Sequence, residues 1–313
     1  MSIIRPTPEL LNEYKRARAR AFAQRDERVA EAFARVPRLE AIKEQKLKLA
    51  FELGLRLVNE ENPQKAREET NAALFALDAE AKALMEQNGI APDAFLPRFN
   101  CPVCEDTGFV GMPKEMCKCL RERAAREKYA SSAFMQNSFS DFDLNIFKDE
   151  RQRKLMEALK RVGESYAQNL EYNGAKGLLL LGETGLGKTF LLNCIASRAV
   201  ENGYSVDKYT MYNFQDRVRE SIYKREAATL SVTGSDLLIL DDLGAEAMIP
   251  NITVESLHRV INERQDAGLA TAFATNLTKK ALLERYGERI FSRLVYPKAV
   301  SVVVLSGVDV RVR

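Results

Sequence analysis

The 313-residue sequence has no long hydrophobic run, since no stretch reaches the ~18 apolar residues that a membrane-spanning helix needs. The first residues, which include Arg5, Pro6 and Pro8, also lack the apolar core of a secretory signal peptide. Neither sign of charge dominates, because 47 Lys and Arg residues are balanced by 44 Asp and Glu residues, for a net charge of +3. That balance permits a nucleic-acid partner without demanding one. These absences predict a soluble cytoplasmic protein with no membrane partner.

Tryptophan is absent and histidine occurs once, as His258, which is expected to be an ordinary surface or packing residue. Of the five cysteines, four lie between residues 101 and 119 and the fifth is Cys194 in a predicted helix core. The four follow a C-x2-C and C-x-C spacing, which lets two short turns present four thiolates to one tetrahedral ion. In a reducing compartment this favours structural Zn²⁺ over disulfides, and the alternative is four cysteines without a metal. The predicted zinc ligands are Cys101, Cys104, Cys117 and Cys119.

Glycine and proline are almost absent from residues 8–88, which are rich in Ala, Glu, Lys, Arg and Leu. Apolar residues recur there at helical spacing, so the segment is predicted to form two or three long helices, broken near Pro37 and Pro63. A basic cluster between Lys15 and Arg28 is either a solvated helix face or a docking surface.

The most specific pattern that is present is an apolar strand at residues 177–181 that runs into the motif G-x-x-x-x-G-K-T. Glycines let successive backbone N–H groups turn toward a phosphate, the lysine reaches the terminal phosphates, and the threonine hydroxyl binds Mg²⁺. A bare motif match can be accidental, but the strand before it and the helix pattern after it supply the required context. The predicted ATP contacts are Gly182, Glu183, Thr184, Gly185, Leu186, Gly187, Lys188, Thr189 and Phe190, with Thr189 also a Mg²⁺ ligand.

A second apolar run, at residues 236–240, ends in the acidic pair that a phosphate-loop ATPase requires. Asp241 is predicted to bind Mg²⁺, directly or through water, and Asp242 is predicted to polarise the attacking water. Glu246 is an alternate base. Taken alone this pattern is weak, but its position downstream of a phosphate loop strengthens the prediction.

Polar residues after a third strand complete the candidate catalytic set. Asn276 follows the strand at residues 270–275 and could position water or sense the γ-phosphate, or simply form a turn or helix cap. Arg289 and Arg293 are four residues apart on one predicted helix face. They suit an arginine finger that acts on a neighbouring subunit, or alternatively two surface salt bridges.

Together the motifs GETGLGKT, LLILDDLGAE, ATN and GERIFSRL resemble, in order and spacing, the DnaC/DnaI helicase-loader and IstB branch of AAA+ ATPases. The resemblance covers residues 133–313 and implies an α/β fold: an AAA+ P-loop core with a parallel sheet and no C-terminal lid. An α-helical N-terminal domain and a small zinc-binding segment would precede this core. By the same resemblance Lys188 and Thr189 hold nucleotide and Mg²⁺, Asp241 and Asp242 form the Walker B pair, Asn276 is sensor I, and Arg293 is the arginine finger with Arg289 nearby.

The stretch at residues 212–225 interleaves aromatic residues with Arg and Lys, which suits stacking on bases and contact with phosphates of single-stranded DNA. In the family that the chain resembles, this region is the DNA-binding element. The preferred contacts are Tyr223, Lys224 and Arg225. The alternative is an amphipathic helix that packs its aromatic residues inward.

The resemblance implies a Mg²⁺-dependent ATPase that binds the hexameric replicative helicase and delivers it onto single-stranded DNA in replication initiation. It also implies a homo-oligomer on ATP or DNA binding. The chain departs from most AAA+ proteins, which carry a sensor arginine on a C-terminal lid, and Arg311 is the candidate for a partial substitute. The alternatives are an IstB-like ATP-dependent transposition helper that remodels target DNA, and a non-catalytic scaffold. The predicted domains are 1–97, helical and partner-binding; 98–122, the zinc-binding segment; 123–148, a linker; and 149–313, the AAA+ ATPase domain.

Overall fold

The computed structural model describes residues 4–59, 63–171, 174–223 and 233–309. The chain divides into two compact units: a helical unit, Pro8–Cys117, and a sheet unit formed by Met1–Thr7 and Lys118–Arg313. Within the described ranges, no helix is both long and apolar enough to cross a membrane. The four domains predicted from the sequence are finer than this division and remain a prediction.

The helical unit begins with three long helices, and each starts at a proline. Proline suits the first helical turn because its missing N–H would have no partner there. The predicted break at Pro37 is confirmed, and the second break falls at residues 60–62, outside the described part of the chain. The helices are α1 (Pro8–Arg35), α2 (Pro37–Asn59) and α3 (Pro63–Gln87), followed by an antiparallel hairpin of β1 (Phe109–Val110) and β2 (Glu115–Met116).

The basic cluster of α1 has a structural role that the sequence did not predict. The guanidinium of Arg18 lies 5.3 Å from the ring centroids of both Phe22 and Phe99. Arg28 donates through Nη2 to the backbone carbonyl of Leu96 at 2.9 Å. These two arginines therefore hold α1 against the segment that precedes the hairpin. Lys15, Arg16 and Arg20 of the same cluster are exposed, as the alternative of a solvated face predicts.

The sheet unit alternates helices and strands. Helix α4 runs across residue 122, where the cysteine segment was predicted to end. The elements are α4 (Lys118–Tyr129), 3-10 turns at Ala133–Gln136, Phe139–Asp141 and Leu144–Ile146, α5 (Glu150–Gln168), β3 (Gly177–Leu181), α6 (Lys188–Glu201), β4 (Val206–Thr210), α7 (Met211–Tyr223), β5 (Leu237–Leu243), α8 (Thr253–Asp266), β6 (Ala270–Thr275), α9 (Lys279–Leu294) and β7 (Val300–Val304).

The five strands β3 to β7 form one parallel sheet in the order β4-β5-β6-β3-β7. All five residues of β3 are buried, as expected for a central strand covered on both faces. Within the described residues no helix follows β7. The predicted α/β class, an AAA+-type P-loop core preceded by a helical region, is confirmed. Because the strands are parallel, the loops after their carboxyl ends share one edge of the sheet.

A buried arginine fixes the opposite edge. Arg264 on α8 is fully buried and donates to the carbonyls of Ser235 and Ala270 at 3.0 and 2.6 Å and to Oγ1 of Thr271 at 2.9 Å. Burial lowers the pKa of its guanidinium to about 10. Arg264 thus joins the amino ends of β5 and β6 and holds rigid the scaffold of the site.

Candidate nucleotide site

The phosphate loop connects β3 to α6 at the carboxyl edge of the sheet. Gly187 caps α6 with φ 82°, a left-handed conformation that favours glycine. The ammonium of Lys188 is almost fully buried and donates to the carbonyls of Gly182 and Glu183 at 2.7 and 2.6 Å. Thr189, at the start of α6, is exposed. The loop therefore has the conformation that the motif predicts, with its lysine folded back into the loop.

The remaining predicted loop contacts occupy different environments. Thr184 is exposed, whereas Leu186 is buried and supports the loop from beneath. The ring of Phe190 packs on Phe142, with centroids 5.5 Å apart, so it anchors the 3-10 segment to α6. The assignment of these side chains to ATP remains a prediction.

The acidic pair lies within β5 rather than after it. The pairing of β5 with β6 shifts register between Leu240 and Leu243, and Asp242 has a left-handed φ of 55°. Consecutive residues of a regular strand point to opposite faces, and this irregularity interrupts that alternation at the acidic pair. Asp241 is buried, and its Oδ1 accepts the N–H of Asp242 at 3.0 Å.

Two lysines influence these carboxylates. Burial and the negative charge of Asp241 raise the pKa of Asp242, while Lys188 and Lys208 oppose that rise. Lys208 Nζ on β4 lies 3.6 Å from Asp241 Oδ2 and donates to Asn193 Oδ1 at 2.6 Å. The sequence analysis missed Lys208 because a single lysine in a strand carries no motif; only the β4-β5 pairing brings it to the acidic pair.

Asn276 lies beside the phosphate loop. It directly follows β6, whose last residue Thr275 pairs with Leu181, the last residue of β3. Both Asn276 and Gly182 line a cavity of about 440 Å³. This position fits the predicted sensor role, whereas the capping side chain of α9 is that of Thr278, which accepts from the N–H of Ala281.

The segment after β7 crosses the loop, and the sequence analysis did not foresee this. The side chain of Gln152 on α5 donates to the carbonyl of Val308 at 3.0 Å and accepts its N–H at 3.2 Å. The carboxylate of Asp309 lies directly against Gly185, where a Cβ would overlap it. A negative charge thus lies beside the phosphate loop. Arg311, the predicted sensor substitute, lies outside the described residues.

The two predicted finger arginines are on the second half of α9. Arg289 is exposed and Arg293 is partly exposed. Among the described residues, neither guanidinium makes a hydrogen bond or an ion pair, so the alternative of two salt bridges finds no support in that part of the chain. Together with burial, the two positive charges lower the pKa of His258 on α8.

Glu246 is not placed as a base. Its side chain is fully buried; Oε2 accepts the N–H of Gly244 at 2.9 Å and Oε1 accepts the hydroxyl of Tyr286. Arg285 Nε lies 3.7 Å from the same Oε1. A carboxylate that is so fully engaged has a structural task, and the expectation of an alternate base is wrong on this geometry.

The cysteine cluster forms as predicted. The four sulfur atoms all lie within 4.8 Å of one another; they belong to Cys101, Cys104, Cys117 and Cys119. The Sγ atoms of Cys101 and Cys117 are 3.9 Å apart. Tetrahedral zinc with Zn–S bonds of about 2.3 Å separates its sulfurs by about 3.8 Å. The residues therefore fit a structural zinc ion. No disulfide links any of the five cysteines.

The predicted DNA contacts fall largely outside the described residues. Tyr223 is the last residue of α7, while Lys224 and Arg225 belong to the undescribed range 224–232. In the described part of α7, Phe214 is fully buried in the sheet core and Tyr212 is exposed. The helix thus packs one aromatic ring inward, and the DNA contacts remain a prediction.

The interior strand β3 of a parallel sheet leads into G-x-x-x-x-G-K-T, and the acidic pair lies on β5, on the far side of β6. This arrangement defines a P-loop protein of the AAA+ type. The family described as "IstB-like ATP binding protein" matches residues 110–291, which is more than half of the chain. The chain therefore belongs to the IstB-like ATP-binding proteins.

Individual relatives are each similar over part of the chain. The replicative helicase loader DnaI of Bacillus subtilis is 31% identical over 118 residues, which cover 37% of this chain and only 38% of DnaI. Among solved structures, the DnaC helicase loader matches with 19% identity and a TM-score of 0.47, over 56% of this chain and 99% of that chain. A DnaI structure matches with 25% identity and a TM-score of 0.41, over 59% of this chain and 93% of that chain.

Proposed function

We propose that the protein is an ATP-dependent loader that binds a replicative DNA helicase and delivers it onto single-stranded DNA. The observation that carries the ATPase part is the meeting of Lys188, the pair Asp241 and Asp242, and Asn276 at one edge of the sheet. The loader part is supported by the similarity to DnaI and by an apolar surface on the helical unit.

In the proposed reaction, a water attacks the γ-phosphorus of ATP, the bond to the β,γ-bridging oxygen breaks, and ADP and phosphate leave. Lys188 would turn from the carbonyls of its loop toward the β- and γ-phosphates, and Asp242 would orient the water and accept its proton. Thr189 and Asp241 would hold Mg²⁺, which neutralises charge on the phosphates. Asn276 would contact the water or the γ-phosphate.

Charge that develops on the γ-phosphate needs a further cation, and α9 carries two candidates. Arg289 and Arg293 project from α9 without an ion pair among the described residues. We propose that Arg293, with Arg289 beside it, acts on the ATP of a neighbouring copy in a homo-oligomer. Hydrolysis would then depend on assembly, because an arginine finger contributes about 10³-fold or more to the rate.

The proposed helicase surface is on α2 of the helical unit. Leu47, Phe51 and Leu55 follow one another at a spacing of one turn and are all largely exposed. Leu47 also lines an apolar cavity of about 750 Å³ with Phe33 and Met85. A row of apolar side chains beside a cavity is the surface on which an apolar helix of a partner docks. In the cytoplasm, the predicted location, the helicase would supply that helix.

Nucleotide binding and hydrolysis test the ATPase part directly. Lys188→Ala is expected to abolish ATP binding, because it removes the ammonium that reaches the phosphates. Arg293→Ala is expected to leave ATP affinity unchanged and to lower turnover in the assembly about a thousandfold. The matched control is Arg259→Ala, which removes an exposed arginine from α8. Normal hydrolysis by Arg293→Ala would refute the finger assignment.

Copurification with a replicative helicase, followed by delivery of that helicase to single-stranded DNA, tests the loader part. Replacement of Lys224 and Arg225 by alanine should weaken DNA binding and reduce its salt dependence. Each phosphate contact that the protein makes releases counterions, so fewer contacts mean fewer counterions released. Delivery that needs neither ATP nor these residues would contradict the proposal.

The second candidate is a transposition helper, favoured by the match to the IstB-like family. The phosphate loop and acidic pair would serve either task, so they do not discriminate. The discriminating measurement is binding to a transposase and ATP-dependent change of target DNA. Those activities without helicase binding would select this candidate.

A further inference from the structure

We propose that Tyr286, held by Glu246, is a positioning residue that sets where the arginine-bearing half of α9 points. It would thereby couple the acidic pair of one subunit to the ATP site of the next. The inference rests on the proposed function, because it assumes that Arg293 acts across a subunit interface. It assigns a task to two buried residues that the catalytic machinery does not otherwise use.

The first part of the link joins Glu246 to the turn after the acidic pair. Gly244 is two residues after Asp242, and its N–H donates to Glu246 Oε2 at 2.9 Å. Gly244 has φ 106°, and a Cβ there would overlap the side chain of Leu277. A side chain would not fit at this position, and the hydrogen bonds from Gly244 to Glu246 and from the N–H of Ala245 to the carbonyl of Asp242 join Glu246 to the acidic pair.

The second part joins Glu246 to α9. The other carboxylate oxygen, Oε1, accepts the hydroxyl of Tyr286, and the backbone carbonyl of Glu246 accepts Nη2 of Arg285. Tyr286 and Glu246 are both fully buried. A buried carboxylate is costly to leave unpaired, so this contact resists breakage and holds the end of the first half of α9.

A break in α9 follows immediately. Gly287 has φ 78° and ψ 167°, a region of backbone conformation that essentially only glycine adopts. No described atom lies within 4 Å of the position that a Cβ would take, so it is the backbone conformation and not a close neighbour that reserves this position for glycine. The helix is thus divided at the residue after Tyr286, and the second half, Glu288–Leu294, carries Arg289 and Arg293.

Apolar packing alone does not fix the direction of that second half. Ile290 and Leu294 are fully buried and seat it on the sheet core. Such packing is non-directional, whereas a hydrogen bond restricts both distance and angle. The hydroxyl of Tyr286 supplies the directional contact nearest to the break. A movement of Asp242 and its turn would therefore reach Arg289 through Glu246, Tyr286 and Gly287.

Tyr286→Phe removes only the hydroxyl, and Tyr166→Phe is a matched control. Tyr166 is also buried in the sheet unit and donates its hydroxyl to the carbonyl of Lys176 at 2.6 Å, away from α9. Tyr286→Phe should keep ATP affinity within about twofold and lower turnover in the assembly about tenfold to a hundredfold, as a small misplacement of a catalytic group does. Tyr166→Phe should leave turnover unchanged.

Mixed assemblies show in which subunit Tyr286 acts. Lys188→Ala subunits cannot use ATP but retain their arginines, so they should restore turnover at the ATP sites of Tyr286→Phe subunits. Absence of rescue, or an equal loss in Tyr166→Phe, would overturn the proposal. Glu246→Gln keeps the shape of the side chain and weakens its hydrogen bond to Tyr286, so it should show an intermediate loss of turnover and the same rescue. If Tyr286→Phe does not fold, Glu246→Gln tests the proposal in its place.

A parallel mixture of Arg293→Ala with Lys188→Ala separates this inference from the proposed function. If Arg293→Ala is rescued and Tyr286→Phe is not, the arginine acts in trans and the positioning role is wrong. If Arg293→Ala is not rescued either, the trans arrangement itself fails, and the inference that rests on it fails with it.

Discussion

Two helices of similar apolar content, α2 in the helical unit and α6 in the sheet unit, place their side chains very differently. In α6 nearly every apolar residue is buried, because the helix lies between the sheet and the elements that cover it. In α2, among the residues whose burial is described (37–57), only Leu39 and Ile42 are buried, while Phe51 is 69% exposed. The apolar side chains of α6 stabilise the fold, whereas many apolar side chains of α2 are exposed on the surface.

The comparison indicates a division of tasks. The sheet unit buries its apolar side chains in a core of its own. Its backbone is held in defined conformations at the site, such as the left-handed φ of Asp242 and of Gly187. The helical unit is joined instead by exposed ion pairs between α2 and α3, and pairs of this kind contribute only about 0–1 kcal/mol each. A unit of this construction gains most from a partner that binds to it.

Metal removal should show the largest effect. Structural zinc contributes on the order of 10 kcal/mol to the folding free energy of a small site. Chelation should therefore expose residues 101–119 to thiol reagents and proteases. ATP affinity at the sheet unit should stay unchanged. Cys104→Ser should lower the zinc content in the same way, whereas Cys194→Ala, outside the cluster, should not. Zinc near zero in freshly purified protein would contradict the assignment.

The next largest effect is expected in the sheet unit. Arg264→Met should lower the free energy of unfolding by about 3 kcal/mol or more, because it leaves buried carbonyls without donors. The exposed Arg259 on the same helix is the control, and its replacement by Ala should cost less than about 0.5 kcal/mol. Urea unfolding measures both. Equal effects would mean that the core does not depend on Arg264.

A smaller effect, in binding rather than folding, is expected for α2. Phe51→Ala should change the free energy of unfolding by less than about 0.5 kcal/mol and weaken helicase binding about tenfold, or ~1.4 kcal/mol. Lys48→Ala, on the same helix but outside the apolar row, should leave binding unchanged. Unfolding of Phe51→Ala would show instead that the residue belongs to a core, and the contrast between α2 and α6 would disappear.

The parts of the molecule that could be predicted from the sequence are those in which the functional residues lie close together along the chain. The phosphate loop, the acidic pair and the four cysteines are local patterns, and the structure brings each set together. Lys208 and Tyr286 could not be predicted, because each meets its carboxylate only through long-range packing of the sheet unit. Glu246 was misassigned for the same reason: the sequence places it near Asp242 but does not show that it is buried.

The smallest effect should come from Asp309, whose carboxylate lies against Gly185 of the phosphate loop. Asp309→Asn keeps the shape and removes the charge, so ATP should bind a few-fold more tightly, by about 1 kcal/mol or less, since a partly exposed charge is screened by water and salt. Calorimetric titration at low and high salt measures the difference. The gain should shrink at high salt, because it is electrostatic. A gain that does not depend on salt would mean that the segment after β7 obstructs the loop by its volume, and Asp309→Ala would then bind ATP more tightly than Asp309→Asn.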